Sequence, residues 1–212
     1  MKLKTILKEI LELDQTKFKL PKLEYGINEL KPIKSVDLHY NKHHGGYVKK
    51  LNDAIGDSKY KGMRLEDIII RSHLDQNLAV YNNAAQHFNH SFFWNLLNPK
   101  PEAKEPSGPL MKSIETNFGS YDNFKKEIIE KGSKHFGSGW VWVIRNGNEL
   151  RVQDMHDADS PVANREYPIM VIDLWEHAYY MDYQNDREKY LKSMFDIIDW
   201  SKVEANFNGY KR

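Results

Sequence analysis

The stretch Asp173–Tyr180 reads D-L-W-E-H-A-Y-Y and follows the apolar run Y-P-I-M-V-I at residues 167–172. Such a run predicts a buried strand, which here leads directly into an aspartate, a glutamate and a histidine. An uncompensated charge inside a protein is unfavourable, so buried ionisable groups are usually paired or bound to a metal ion. The stretch therefore predicts that Asp173 and His177 meet partners from elsewhere in the chain.

Composition limits what those partners are. The chain has 212 residues, a formal net charge of +1 and no cysteine. A near-neutral chain without a basic block gives no electrostatic support for nucleic-acid binding. The absence of cysteine leaves nitrogen and oxygen ligands for any metal. No apolar run is long enough for a membrane span, so no membrane partner is expected.

Residues 1–17 form an N-terminal extension that we predict to be an amphipathic helix. Its apolar positions recur at helical spacing: Leu3, Ile6, Leu7, Ile10 and Leu11. Lys8 and Glu9 interrupt the apolar core that a secretory signal needs, and the acidic residues are unlike a transit peptide. The expected compartment is therefore the cytoplasm.

The rest of the chain divides at a proline-rich linker. We predict a helical hairpin domain at residues 18–98, the linker at 99–109, and an α/β domain at 110–212. Within the first domain, the pattern of residues 35–52 predicts one helix. In the second, W-V-W-V-I-R and E-L-R-V-Q-D-M flank Asn146-Gly147 and predict a hairpin with a two-residue turn. Residues 167–173 complete a small three-stranded antiparallel sheet, so the fold class is α+β.

Two predicted helices carry histidines at four-residue spacing, which places side chains on one helix face. One face consists of His39, His43 and Tyr47, and the other of Gln86, His90 and Trp94. Polar pairs at this spacing are common on solvated surfaces, so spacing alone has modest weight. The phenylalanines around His90 indicate that its helix is largely buried.

One histidine from each helix, together with Asp173 and His177, would make a cluster of three nitrogens and one oxygen. Zinc, iron and manganese all accept imidazole and carboxylate ligands. A buried Asp–His hydrogen-bonded pair without a metal is the structural alternative, and periodicity does not distinguish the two.

The sequence resembles the iron/manganese superoxide dismutases from about Phe18 to the C-terminus. The resemblance is carried by five blocks in order: F-K-L-P-K-L-E-Y, H-Y-N-K-H-H-G-G-Y-V, N-N-A-A-Q-H-F-N-H-S-F-F-W-N, F-G-S-G-W-V-W and D-L-W-E-H-A-Y-Y. It implies one metal ion held between the two domains. The enzyme would convert superoxide to dioxygen and hydrogen peroxide by one-electron cycling of that ion.

The same resemblance implies a role for each matching residue. The metal ligands would be His39, His90, Asp173 and His177. Tyr47 and His43 match the gateway pair of the substrate funnel, and Trp94, Trp140 and Trp175 match an aromatic shell. Glu176 matches a residue that bridges to a metal-bound histidine of the partner subunit, and Tyr180 one that reaches the partner's gateway histidine. A homodimer is therefore expected, with a tetramer as the alternative.

The metal is expected to be iron, with manganese as the alternative ion. Relatives of the iron type place the solvent-bonding glutamine four residues before the second histidine, where this chain has Gln86. The manganese type usually takes it from an N-Q-D-S-P segment, whereas this chain reads D-A-D-S-P with Ala158. Two non-redox hypotheses remain. One is a zinc hydrolase, since zinc has no redox chemistry. The other is a structural protein on the same scaffold.

Overall fold

The computed structural model describes residues 17–210, so the predicted N-terminal helix lies outside the described residues. In this part of the chain the helices, in order, are a π-helical segment Leu38–His44, α1 Gly45–Ile55, α2 Leu65–Leu74, α3 Leu78–Asn95, α4 Gly108–Phe118, α5 Tyr121–Lys134, a 3₁₀ turn Pro161–Asn164, α6 Glu176–Tyr183, α7 Arg187–Met194 and α8 Trp200–Gly209. The strands are β1 Gly139–Asn146, β2 Glu149–His156 and β3 Tyr167–Asp173.

Helices α1, α2 and α3 pack together as the N-terminal unit. Helix α1 buries Val48, Leu51 and Ile55, a set spaced three and four residues apart as expected for one apolar face. Ala84 and Ala85 of α3 are fully buried. Their small side chains allow neighbouring helices to approach closely. Helix α3 therefore lies at the centre of the unit, with its C-terminal half directed to the second domain.

The predicted single helix over residues 35–52 is wound in two ways. Residues Leu38–His44 are π-helical, and the Gly45 N–H bonds to the carbonyl oxygen of Tyr40 five residues earlier. From Gly45 onward the chain is an ordinary α-helix. A π-turn holds more residues than an α-turn and is frequent at functional sites. His39 and His43 therefore lie on a wider turn than the α-helical turn that their four-residue spacing predicted.

The sheet has the order β2-β1-β3, with both pairings antiparallel. Asn146 pairs with Glu149, so the two turn residues are Gly147 and Asn148 rather than the Asn-Gly pair itself. Gly147 has φ 61°, a conformation that glycine adopts without strain. The β1–β3 register places Trp140 opposite Asp173. The end of β3 that carries the predicted ligand therefore lies beside a buried tryptophan.

Backbone hydrogen bonds join the end of the hairpin unit to the C-terminal helices. The Asn98 N–H donates to Ile197 O at 2.8 Å, and the Asp199 N–H donates to Leu96 O at 2.8 Å.

Helix α4 begins at Gly108, inside the predicted linker, with a proline in its first turn. None of the helices in residues 17–210 has the length and apolar character needed to cross a bilayer.

The predicted fold class is confirmed: a helical N-terminal unit precedes an α/β unit with a three-stranded antiparallel sheet. One buried apolar cluster spans the two units, and a second cluster lies mainly within the helical unit around Leu51, Ile68 and Ala84. Phe93 and Trp94 from α3 lie in the same buried cluster as Trp140 and Trp142 from β1. The C-terminal half of α3 is thus held against the sheet.

The start of β1 gives a test of this packing. A Cβ at Gly139 would overlap the Met155 carbonyl oxygen on β2 and the His135 ring. Gly139→Ala should therefore lower the free energy of unfolding by roughly 3 kcal/mol or more, at or beyond the upper end of overpacking effects. Denaturant unfolding of the full chain measures it.

Gly46→Ala in α1 is the matched control, since no atom of residues 17–210 lies within 4 Å of the added Cβ. Alanine is the better helix former, so this variant should gain about 0.5–1 kcal/mol. Equal unfolding midpoints for the two variants would contradict the packing described for β1.

Candidate metal centre

Four side chains from four elements converge in the space between the two units. His39 comes from the π-helical segment, His90 from α3, Asp173 from the end of β3, and His177 from the first turn of α6. One ligand atom from each lies within 4.8 Å of every other. His39, His90 and Asp173 are fully buried, and the His177 side chain is 10% exposed. The structure therefore brings together the four residues that were predicted as ligands.

The facing atoms are nitrogens of three rings and one carboxylate oxygen. Asp173 Oδ2 lies 3.1 Å from His39 Nε2, 3.5 Å from His177 Nε2 and 3.7 Å from His90 Nε2. Within residues 17–210, none of these four atoms has a hydrogen-bond partner of acceptable geometry. Buried polar atoms are nearly always hydrogen-bonded. Four unpaired atoms pointing at one another therefore indicate a cation site.

His90 is held in the form that binds a metal. Its Nδ1 lies 2.8 Å from the carbonyl oxygen of Gln86, one helical turn earlier. A carbonyl only accepts, so Nδ1 carries the proton and Nε2 keeps a free lone pair. Burial lowers the pKa of His90 well below its usual value, and burial lowers that of His39 to about 4. Both rings are therefore neutral, as metal ligation requires.

Asp173 is fixed by the turn from β3 into α6. Its Oδ1 accepts a hydrogen bond from the Trp175 N–H at 2.8 Å, and the Leu174 N–H donates to Gly139 O at 2.9 Å. Burial by itself raises the pKa of Asp173, but the adjacent His177 and His39 rings outweigh it and hold the pKa below the ordinary value. The carboxylate is therefore ionised, with Oδ2 free to face the three histidines.

The donor set fits a single first-row metal ion. Three imidazole nitrogens and one carboxylate oxygen suit zinc, iron and manganese. A buried carboxylate without a compensating cation is strongly unfavourable. A bound cation supplies that compensation and gives each unpaired atom a partner. The alternative of a plain Asp–His pair does not account for the unpaired atoms of His90 and His177.

Each predicted shell tryptophan packs against a different ligand ring. The ring centroids are 4.6 Å apart for Trp94 and His39, 4.8 Å for Trp140 and His90, and 5.5 Å for Trp175 and His177. Trp94 and Trp140 are almost fully buried. Trp175 Nε1 donates to the carbonyl oxygen of Asp157 at 3.1 Å, which anchors its ring. The tryptophans therefore restrict the orientations open to the ligand rings.

The remaining predicted site residues lie at the margin of the cluster. The His43 ring stacks on His177 at 4.2 Å, and the Tyr47 ring lies 5.4 Å from His90. Burial raises the pKa of Tyr47 to about 12, with a further contribution from Asp173. Gln86 is 2% exposed, and its Oε1 has no hydrogen-bond partner within residues 17–210.

Glu176 and Tyr180 differ from the other predicted residues because they face solvent. Both lie on α6; Glu176 is exposed, and Tyr180 is 49% exposed. Met181 beside them is 74% exposed. Their predicted roles concern a partner subunit, and they stay predictions.

Sequence reasoning missed two buried histidines next to the ligands. His44 is 0% exposed and His87 3% exposed. Their facing atoms, His44 Nε2 and His87 Nδ1, are 2.8 Å apart. They lie on different helical elements and are 43 positions apart in sequence. No spacing rule connects such residues, so only the tertiary structure identifies the pair.

A helical hairpin packed on an α/β unit, with one buried cluster of three histidines and an aspartate between them, defines a mononuclear metalloprotein. Residues 17–98 match the family described as iron/manganese superoxide dismutases, alpha-hairpin domain. Residues 106–206 match the C-terminal domain of the same family. The chain belongs to the iron/manganese superoxide dismutase family.

Individual relatives cover nearly the whole chain. It is 42% identical to an iron superoxide dismutase of Plasmodium falciparum, over 88% of this chain and 94% of the relative. It is 42% identical to that of Babesia bovis, over 89% and 95%. It is 39% identical to that of Coxiella burnetii, over 90% and 98%.

Asp173→Asn separates a metal ligand from a structural Asp–His pair. The amide retains an oxygen for the Trp175 N–H but lacks the charge, so metal affinity should fall more than about 100-fold, since groups that only support ligands contribute about 10–100-fold. Added metal should raise the unfolding midpoint of the wild type and not that of the variant, because a ligand that binds only the folded state stabilises it. Elemental analysis and denaturant unfolding measure both effects.

Asp154→Asn is the control for that prediction. Asp154 Oδ2 lies 2.8 Å from His135 Nδ1, an Asp–His pair elsewhere in the chain. This variant should retain full metal content. A metal-replete but destabilised Asp173→Asn protein would show that Asp173 is structural.

Proposed function

We propose that the chain is an iron superoxide dismutase that holds one iron ion per subunit through His39, His90, Asp173 and His177. Two superoxide ions and two protons are converted to dioxygen and hydrogen peroxide. The observation that carries the proposal is the set of four buried, mutually facing atoms without hydrogen-bond partners in the described chain. Both halves of that chain match the family. The zinc-hydrolase and structural readings gain no support from these matches.

When bound, iron supplies a centre that accepts one electron and returns it, which zinc does not do. The protein groups provide the setting for that exchange. The ionised Asp173 brings a negative charge to the site, and the His39 and His90 imidazoles are neutral. Trp94 and Trp140 are almost fully buried and exclude water from one side of it. The low polarity there strengthens each electrostatic interaction.

Two residues at the margin of the ligand cluster, Tyr47 and His43, would contact the incoming proton and the superoxide anion. Burial raises the pKa of Tyr47 to about 12, so its hydroxyl keeps its proton at neutral pH and is available as a hydrogen-bond donor. Burial, followed by the neighbouring His177 ring, lowers the pKa of His43. His43 is therefore uncharged at neutral pH. We assign to these two residues the role of a neutral, hydrogen-bonding gateway for a small anion.

Gln86 supports iron over manganese. Its buried Oε1 has no partner within residues 17–210 and is therefore free to accept a hydrogen bond. Ala158, at the position where manganese-type relatives carry the glutamine, is held next to the same helix because Asn89 Nδ2 donates to Ala158 O at 3.2 Å. We therefore assign the solvent-bonding amide to Gln86 on α3 rather than to the segment that carries Ala158. Manganese remains the alternative ion.

We also propose that the chain forms a homodimer, with a tetramer as the alternative, and resides in the cytoplasm. The exposed positions of Glu176, Tyr180 and Met181 along α6 support a partner contact there. Sedimentation of the full chain tests the dimer. The charged residues within the predicted N-terminal helix support the compartment, which cell fractionation tests.

The activity has a direct test. The full chain, loaded with stoichiometric iron, should suppress superoxide-driven reduction of a dye, because the metal site supplies one-electron exchange. Zinc-loaded chain is the matched control and should not suppress it. A manganese-loaded sample, measured in the same dye assay, tests whether manganese also supports the activity. Iron-replete protein that leaves dye reduction unchanged would overturn the proposed activity.

Gln86→Ala tests the assignment of the buried amide. Iron content should stay near wild type because no ligand is removed, whereas the midpoint potential should shift. Turnover should fall by about 10–100-fold, the usual effect of groups that support a metal site. Elemental analysis, redox titration and the dye assay measure the three quantities.

Gln153→Ala removes an amide from β2, where Gln153 Oε1 accepts from Arg151, and serves as the control. It should match wild type in iron content, potential and turnover. If Gln86→Ala also matches wild type in potential, the amide has no role at the metal.

A further inference from the structure

Behind the ligand cluster lies a buried histidine pair that the proposed function does not use. His44 is the last residue of the π-helical segment, and His87 lies on α3. His44 Nε2 and His87 Nδ1 are 2.8 Å apart. The Phe18 ring packs edge-on against His87, with centroids 5.6 Å apart. The pair therefore forms a buried polar link between two ligand-bearing elements.

Hydrogen-bond chemistry fixes the proton positions in this pair. Trp94 Nε1 lies 3.2 Å from His44 Nδ1. An indole N–H only donates, so His44 Nδ1 is an acceptor and carries no proton. A neutral imidazole has one proton, which on His44 must be at Nε2 and is donated to His87 Nδ1. His87 in turn carries its proton on Nε2.

Two further observations agree with this assignment. Ser91 Oγ lies 3.4 Å from His87 Nδ1, where its hydroxyl is a second, weaker donor to the same acceptor. Burial lowers the pKa of His44 well below its usual value and lowers that of His87 to about 4. Both rings are therefore neutral at pH 7, so each has one donor and one acceptor nitrogen.

The same chain of hydrogen bonds touches two of the four metal-binding residues. His44 stacks on His90, with centroids 5.1 Å apart and planes at 24°. Trp94 meets His39 at 4.6 Å and 64°. A ring rotation of His44 would therefore disturb His90 directly, and His39 through Trp94. Second-layer hydrogen bonds of this kind orient metal ligands.

We propose that His87 is a positioning residue: by accepting the His44 Nε2–H it fixes the orientation and tautomer of His44, and so the orientation of Trp94 and of the His39 and His90 rings. The effect on iron rests on the proposed function. The hydrogen-bond assignment does not, since it follows from the donors and acceptors alone.

A pair of variants of similar size tests the proposal. His87→Asn retains an acceptor oxygen near the position of Nδ1, whereas His87→Leu removes it; both delete the imidazole ring. His87→Leu should bind iron roughly tenfold more weakly, at the low end for groups that support ligands, with an altered ferric absorption spectrum. His87→Asn should restore the wild-type affinity and spectrum. If the two variants have the same iron affinity and the same ferric spectrum, His87 contributes only packing and the proposal is wrong.

A second measurement needs no variant and no activity. Histidine ¹⁵N spectra of the full wild-type chain loaded with zinc, a d¹⁰ ion that leaves the spectra sharp, report which nitrogen of each ring is protonated. The expected result is protonation of His44 and of His87 at Nε2. A proton on His87 Nδ1 would overturn the proposal even if both variants failed to fold. Iron-loaded wild type without dismutase activity would instead refute the proposed function and leave this result standing.

Discussion

The buried negative charge of Asp173 sets the condition that the rest of the structure meets. A carboxylate at 0% exposure is tolerable only beside a cation or a full set of donors. Oδ1 has its donor in the Trp175 N–H, whereas Oδ2 faces three imidazole nitrogens that, like it, have no hydrogen-bond partner among the described residues. Around that oxygen the chain places a strand end, a helix start and two helices from the other unit. Their meeting point is stable when a cation occupies it.

This arrangement links metal binding to the contact between the two units. His39 and His90 belong to the helical unit, and Asp173 and His177 to the α/β unit. An ion held by both pairs adds its binding free energy to the shared apolar core formed by Phe93, Trp94, Trp140 and Trp142. The tryptophans serve both purposes, since Trp94 and Trp140 also pack on ligand rings. Core packing and ligand orientation are therefore properties of the same side chains.

Much of the site could be predicted from the sequence because its ligands lie at positions with strong local signals. His90 belongs to a long helix with a dense aromatic face, and Asp173 ends an apolar strand. What the sequence did not reveal depends on contacts between distant elements. The residue pattern of Leu38–His44 predicts a helix but does not distinguish π-winding from α-winding. The His44–His87 bond joins elements that no periodicity relates. The predicted roles of Glu176 and Tyr180 depend on a second subunit, which a single chain does not contain.

The π-helical segment has a consequence for how this protein tolerates changes in length. A π-turn holds about one residue more than an α-turn, so a one-residue deletion there would restore ordinary winding. Because the extra residue is accommodated inside the wide turn, that deletion would leave His39 and Tyr47 on nearly the same faces as before, while removing the wide turn between them. The shape of the backbone between ligand and gateway is thus encoded in residue number as well as residue type. A gap at this position in an alignment marks a change of backbone winding rather than the loss of a site residue.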